Sequence, residues 1–220
     1  IYDRVAEVGP TDAFYFQQRG IFEMKRENPN LELAYRFLRE ASNLAGEDRS
    51  IAHSLAELEL ARAEKAQTQI ERNRHLSAAR ETAFRLTGSD ADSSYGYHTL
   101  CKIALQNLQS ILASAADDEA AITDAIKSAE DAMQRALVRF PDDEYLLVAE
   151  SELAAQIGAN NRALKALETA FSRNPMSAYV ARGLARLYES RGEFARSREV
   201  LERSLGGLPG DKALNASLAG

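Results

Sequence analysis

His98 and Cys101 stand three residues apart, so one face of a helix would present an imidazole beside a thiol. That pairing could ligate a metal ion or act as base and nucleophile. Either chemistry needs more company than the nearby sequence supplies. Cys101 is the chain's only cysteine, and no histidine or carboxylate at ligand spacing completes a tetrahedral set or orients His98. Cys101 is therefore expected to pack as a small buried hydrophobe. His53 and His75 read as isolated on amphipathic helices, where a surface or satisfied imidazole is the ordinary outcome. No GxGxxG, P-loop, HExxH or GxSxG pattern occurs, so phosphate cradles, zinc-peptidase helices and nucleophile elbows have no support. The expectation is a chain that is not an enzyme, with no catalytic, metal or cofactor site.

The elements that carry these residues are helices in a folded chain. Apolar residues make up 45% and charged residues 27%, where a disordered chain would be poorer in the first and richer in the second. Ala, Leu, Glu and Arg dominate, and Val and Ile are sparse, which disfavours a sheet and predicts an all-α fold. The formal net charge of −6 offers no positive field to phosphates, arguing against nucleic acid and anionic membrane as partners. No apolar run approaches the ~18 residues that span a bilayer. A lone cysteine forms no internal disulfide and fits a reducing, cytoplasmic compartment. The chain opens at Ile1 without an initiator methionine, which predicts a cut inside a longer polypeptide.

Prolines mark a period. Pro141, Pro175 and Pro209 follow one another at intervals of 34 residues, each just past a helical pattern that its ring would stop. Between the last two, Ala181, Leu184, Ala185 and Tyr188 share one helical face, and Ser197, Leu201 and Ser204 share a second beyond Gly192. Moving back 34 residues finds Leu147, Ser151, Ala154, Gly158, Ala163, Leu167 and Ala170, so side-chain size is kept nearly throughout. Small residues let two antiparallel helices approach closely. Earlier stretches keep the offsets: Ala34, Leu38 and Ala41 match Ala163, Leu167 and Ala170, preceded by Phe16 and Gly20. Five helix pairs result, at 11–45, 49–87, 94–140, 142–174 and 176–208, with partial helices at 1–9 and 211–219. Thr11, Asp48, Ser93, Asp118, Asp143, Asn160 and Ser177 are the expected helix caps. The stretch GSDADSSYG is the best boundary candidate inside an otherwise single domain, 1–220.

These residues resemble the tetratricopeptide repeat (TPR) family, which has a unit of 34 residues, small residues at the helix crossing and a closing proline. Departures are Leu147 and Ala181 at an aromatic position, Glu150 at a core leucine position and Ser197 at an alanine position. The resemblance implies a right-handed α-α superhelix, a solenoid whose first helices line a concave groove that holds a protein or peptide. The residues resembling the groove-facing set are Phe14, Gln17, Ile21, Met24 and Lys25, then Tyr145, Val148 and Glu152, then Tyr179, Arg182, Arg186 and Glu189. Tyr145, Tyr179, Arg182 and Arg186 are the side chains expected to carry most contact energy.

One use of such repeats clamps the C-terminal carboxylate of a heat-shock chaperone with a Lys, Asn, Asn, Lys, Arg set. That set is absent here, and positive charge in the compared positions comes from Arg182 and Arg186. The stretches TDAFYFQQRGIFEM and IAHSLAELELARAE also resemble the C-terminal sensor arrays of larger bacterial signalling ATPases and multidomain proteins. An interaction module is the leading expectation. Its rivals are a regulatory receptor that closes on a ligand or peptide and a structural arm that spaces or oligomerises other domains, a homo-oligomer included.

Overall fold

The computed structural model describes residues 12–89, 93–114, 118–207, 210–211 and 215–217. Among them the chain is helical throughout: α1 Ala13–Lys25, α2 Leu31–Ala45, α3 Arg49–Lys65, α4 Gln69–Ser89, α5 Tyr95–Ser114, α6 Glu119–Arg139, α7 Glu144–Gln156, α8 Asn160–Arg173, α9 Ala178–Ser190 and α10 Phe194–Gly207. It divides into two compact units, Ile1–Ile103 and Ala104–Gly220, with the division falling inside α5. The expected Thr11 cap, the partial helix at 1–9 and Pro209 lie outside the described residues, as do the middle of the 88–96 loop and most of the segment 211–219.

Helix starts follow from short polar side chains. Asp12, Asn30, Asp48, Asp118 and Asp143 each accept a backbone N–H two or three residues on at 2.8–3.0 Å, and Ser177 accepts from Val180 at 3.4 Å. Each such cap is worth about 1 kcal/mol. Asn160 departs from expectation: it is the first residue of α8, and Ala159 holds the cap position with no side-chain bond. Backbone hydrogen bonds close that turn instead.

Gly158 and Gly192 both sit at φ 76°, a conformation that L side chains adopt only under strain. Ala159 N–H then bonds to the Ala154 carbonyl at 2.7 Å, and Glu193 N–H bonds to the Tyr188 carbonyl at 2.8 Å. These are the same wrapped helix ends, 34 residues apart. The closing turns repeat as well: Phe140 N–H to Ala136 and Asp143 N–H to Phe140 recur as Asn174 to Ala170 and Ser177 to Asn174. The proline period is thus a period of backbone hydrogen bonds.

In the second unit α7 packs on α8 and α9 on α10, with α8 also against α9 and α6 against α7. Its core joins Leu147, Leu167, Phe171, Val180, Leu184, Tyr188 and Leu201 around Ala170, Ala181 and Ala185. Ala163, Ala170 and Ser204 are completely buried, as their place at a close helix crossing requires. In the first unit α1 pairs with α2 and α3 with α4, while α3 packs against both α2 and α1. Leu38 fills the space beside Gly20, where an added Cβ would come within 2.6 Å of the leucine Cγ. Ala34, Leu38 and Leu58 form one cluster there, and Leu60, Ala79 and Ile103 another. Helix α5 has 20 residues where α7 and α9 have 13.

Candidate partner-binding surface

The face of α9 opposite its core stripe carries Tyr179, Arg182 and Arg186, because residues three and four apart on a helix fall on one side. Tyr179 is 41% exposed, and its ring meets that of Tyr145, 51% exposed, with centroids 5.6 Å apart and planes 33° from parallel. Tyr145 and Tyr179 hold equivalent positions 34 residues apart, so the contact bridges α7 and α9. Arg182 is half-buried and donates its Nε to the Ala178 carbonyl at 3.2 Å, whereas Arg186 is exposed. Among the described residues neither arginine has an ion pair, while Arg191, Arg196 and Arg198 are paired with Glu193, Glu168 and Glu202. Glu152 is exposed, and Glu189 accepts a hydrogen bond from Ser197 Oγ at 2.7 Å.

Two residues of the expected groove set are not surface groups. Val148 is buried in the core of the second unit. Gln17 is buried between α1 and α3, donating its amide to Ser50 Oγ at 2.7 Å and Ser54 Oγ at 3.0 Å. A helix one residue out of phase with the template, or a neighbouring helix that covers the stripe, produces this outcome, and linear spacing does not distinguish it. On the same helix Phe14 is exposed, Ile21 is half-buried, Met24 packs against the Ala34–Leu38–Leu58 cluster and Lys25 is exposed.

Glu150, at the position where the family places leucine, keeps a nearly buried side chain that accepts from Arg162 Nε at 2.5 Å and Nη2 at 3.1 Å. Arg162 Nη1 also reaches Glu130 at 2.7 Å, and these hydrogen bonds hold the guanidinium firmly charged. Tyr188 donates its hydroxyl to Glu168 Oε1 at 2.7 Å, and burial together with that bond pushes its pKa up to about 12. Cys101 is buried, as packing predicts. The histidines are less isolated than linear spacing suggests: His75 Nδ1 lies 2.6 Å from Glu59 Oε2, and His53 and His98 are neighbours with ring centroids 5.7 Å apart. Among the described residues no helix is long and apolar enough to cross a membrane.

Helix pairs joined by wrapped turns at one period, stacked first helix on first helix, are an arrangement shared with solved proteins. A thermophilic TPR protein of Thermus thermophilus superposes with a TM-score of 0.67 over 94% of this chain and 97% of its own, at 17% identity. The chain has the tetratricopeptide-repeat fold. The assembly chaperone of RpL4, Acl4, gives a TM-score of 0.53 at 13% identity, covering 99% of this chain and 84% of that one. The TPR protein YrrB, described as having an unusual peptide-binding site, is similar over 98% of this chain and 96% of its own at a TM-score of 0.46 and 13% identity. No protein-family model and no curated protein sequence matches the chain. At these identities the TPR likeness is one of fold.

Proposed function

We propose that this chain is a protein-interaction module, one repeat domain over 1–220 in a bacterial cytoplasm, that holds an acidic protein segment against the first-helix face of its last two repeats. The observation that carries this reading is the exposed Tyr145–Tyr179 ring pair beside Arg182 and Arg186, two cations with no carboxylate partner among the described residues. Tyrosine and arginine dominate interface energetics because they bring large area or charge-assisted hydrogen bonds at modest entropic cost. An arginine already paired in its own chain would have to break that pair to bind. These two need not, so a carboxylate or phosphorylated side chain of the partner gains the full charge-assisted bond. Buried Val148 supports the helices beneath the contact. Glu152, exposed on α7, disfavours a uniformly acidic ligand and sets its register.

Selection of displayed peptides on the wild-type chain tests the reading. Enriched sequences are expected to combine acidic with aromatic or aliphatic residues and to lose binding to the Arg182→Ala/Arg186→Ala variant, whose circular dichroism stays that of the wild type. Enrichment of basic peptides, or binding undiminished in the folded double variant, would contradict it.

A further inference from the structure

Helix α3 carries His53 and Glu57 one turn apart, and α5 carries His98 and Lys102 one turn apart. Packing within the first unit brings these two pairs together, although Glu57 and Lys102 are 45 residues apart in sequence. One donor atom each from His53, Glu57 and His98 lies within 4.8 Å of the other two. We propose that these three side chains form a binding site for a divalent transition-metal ion, with zinc as the representative ion.

The chemistry of each group fits. Lys102 Nζ donates to Glu57 Oε2 and so fixes the carboxylate, while Glu57 Oε1 is buried with no hydrogen-bond partner among the described residues. Buried carboxylate oxygens almost always have a partner, and an orphaned one calls for an explanation. Thr99 Oγ1 lies 3.1 Å from the Tyr95 carbonyl and 3.3 Å from His53 Nδ1. A hydroxyl has one hydrogen, and a carbonyl can only accept, so Thr99 donates to Tyr95 and accepts from His53 Nδ1–H. The lone pair of His53 is then on Nε2, the tautomer a metal-binding imidazole needs with its other nitrogen held. The Tyr95 ring stacks on the imidazole at 4.6 Å and 9° from parallel, which fixes its plane. Burial, Lys102 and Lys25 hold the His53 pKa below its ordinary value against the opposing pull of Glu57, leaving the ring neutral and able to ligate near pH 7.

Two imidazoles and one carboxylate suit zinc, cobalt, nickel or iron rather than magnesium or calcium, which prefer all-oxygen shells. Three protein donors leave a coordination position for water or another ligand. Lys102 opposes a cation by its charge yet keeps Glu57 oriented through the other oxygen, which predicts moderate affinity. Linear spacing had no means of finding this set, because its ligands come from two helices and His98 looks toward Cys101 only when the chain is read in one dimension.

Untagged protein titrated with Co²⁺ and followed by visible absorption tests the site. A saturable cobalt spectrum with one ion per chain is expected, displaced by Zn²⁺. Glu57→Gln, nearly isosteric, and His98→Ala should each weaken binding by at least about tenfold. His75→Ala, which removes a histidine outside the cluster, should leave it unchanged, and Lys102→Met should tighten it. No saturable spectrum in the wild type, or a spectrum retained in folded Glu57→Gln, would overturn the proposal. Circular dichroism of each variant separates lost ligation from lost folding, and a wild-type chain without the spectrum decides the matter by itself.

Discussion

His53 illustrates how a residue's titration reports its surroundings. In the unfolded chain its imidazole takes up a proton near 6.5, whereas in the native state burial, Lys102 and Lys25 together hold it neutral to lower pH, with Glu57 pulling the other way and His98 alongside. The unfolded state therefore binds the proton first, and stability falls as pH drops below 6.5, until native His53 is protonated as well. Glu57 adds a second loss below 4.5: burial alone would raise its pKa, but the charge and hydrogen bond of Lys102 outweigh that and hold it low. Urea unfolding of metal-free protein at pH 7 and pH 5 should show the first loss, and His53→Asn should flatten it. An equal slope in that variant would assign the loss to other groups. Glu150 is marked by the sequence as a charge in a leucine position, without an indication of its partners. Those partners are Arg162 and, beyond it, Glu130, brought from α8 and α6. Glu150→Ala should lower stability by about 1 kcal/mol, a charge-assisted pair discounted for the partial solvation of Arg162. An unchanged melting temperature would mean that the pair is only a surface feature.

At the scale of the element, most of the architecture was legible. Prolines at one period, small residues at fixed offsets and short polar residues ahead of apolar stripes are local signals, and local signals survive reading in one dimension. The caps at Asp48, Asp118, Asp143 and Ser177 show this. Asn160 shows the limit, since the wrapped turn at Gly158 supplies backbone bonds that make a side-chain cap unnecessary. The helix crossing offers a paired test at equivalent positions 34 residues apart. Ala170 is fully buried, so Ala170→Leu should overpack the crossing and cost about 1–3 kcal/mol. Ser204 is also fully buried and its hydroxyl has no partner among the described residues, so Ser204→Ala should leave stability unchanged or raise it by up to about 1 kcal/mol. Thermal melts of both variants give the comparison. A destabilised Ser204→Ala would mean that the hydroxyl is bonded after all.

For the molecule as a whole, the sequence marks which helices come first in each repeat but not which of their side chains stay open. Tyr145, Tyr179 and Arg186 remain exposed, while Gln17 and Val148 are taken up by packing between helices that no linear pattern reports. Partner identity was not legible for the same reason: it depends on an assembled surface and on charges left over after internal pairing. In a repeat array each unit is stabilised mainly by its neighbours, so Ala170→Leu should speed amide exchange most in α7 to α10 and least in α1 and α2. Uniform acceleration across the chain would indicate one all-or-none unit instead. The central claim, that a partner segment lies on the α7 and α9 face, is tested most directly by NMR amide shift mapping with a selected acidic peptide. The largest shifts are expected at and beside Tyr145, Tyr179, Arg182 and Arg186. Shifts confined to α8 and α10, with those four unmoved, would contradict it.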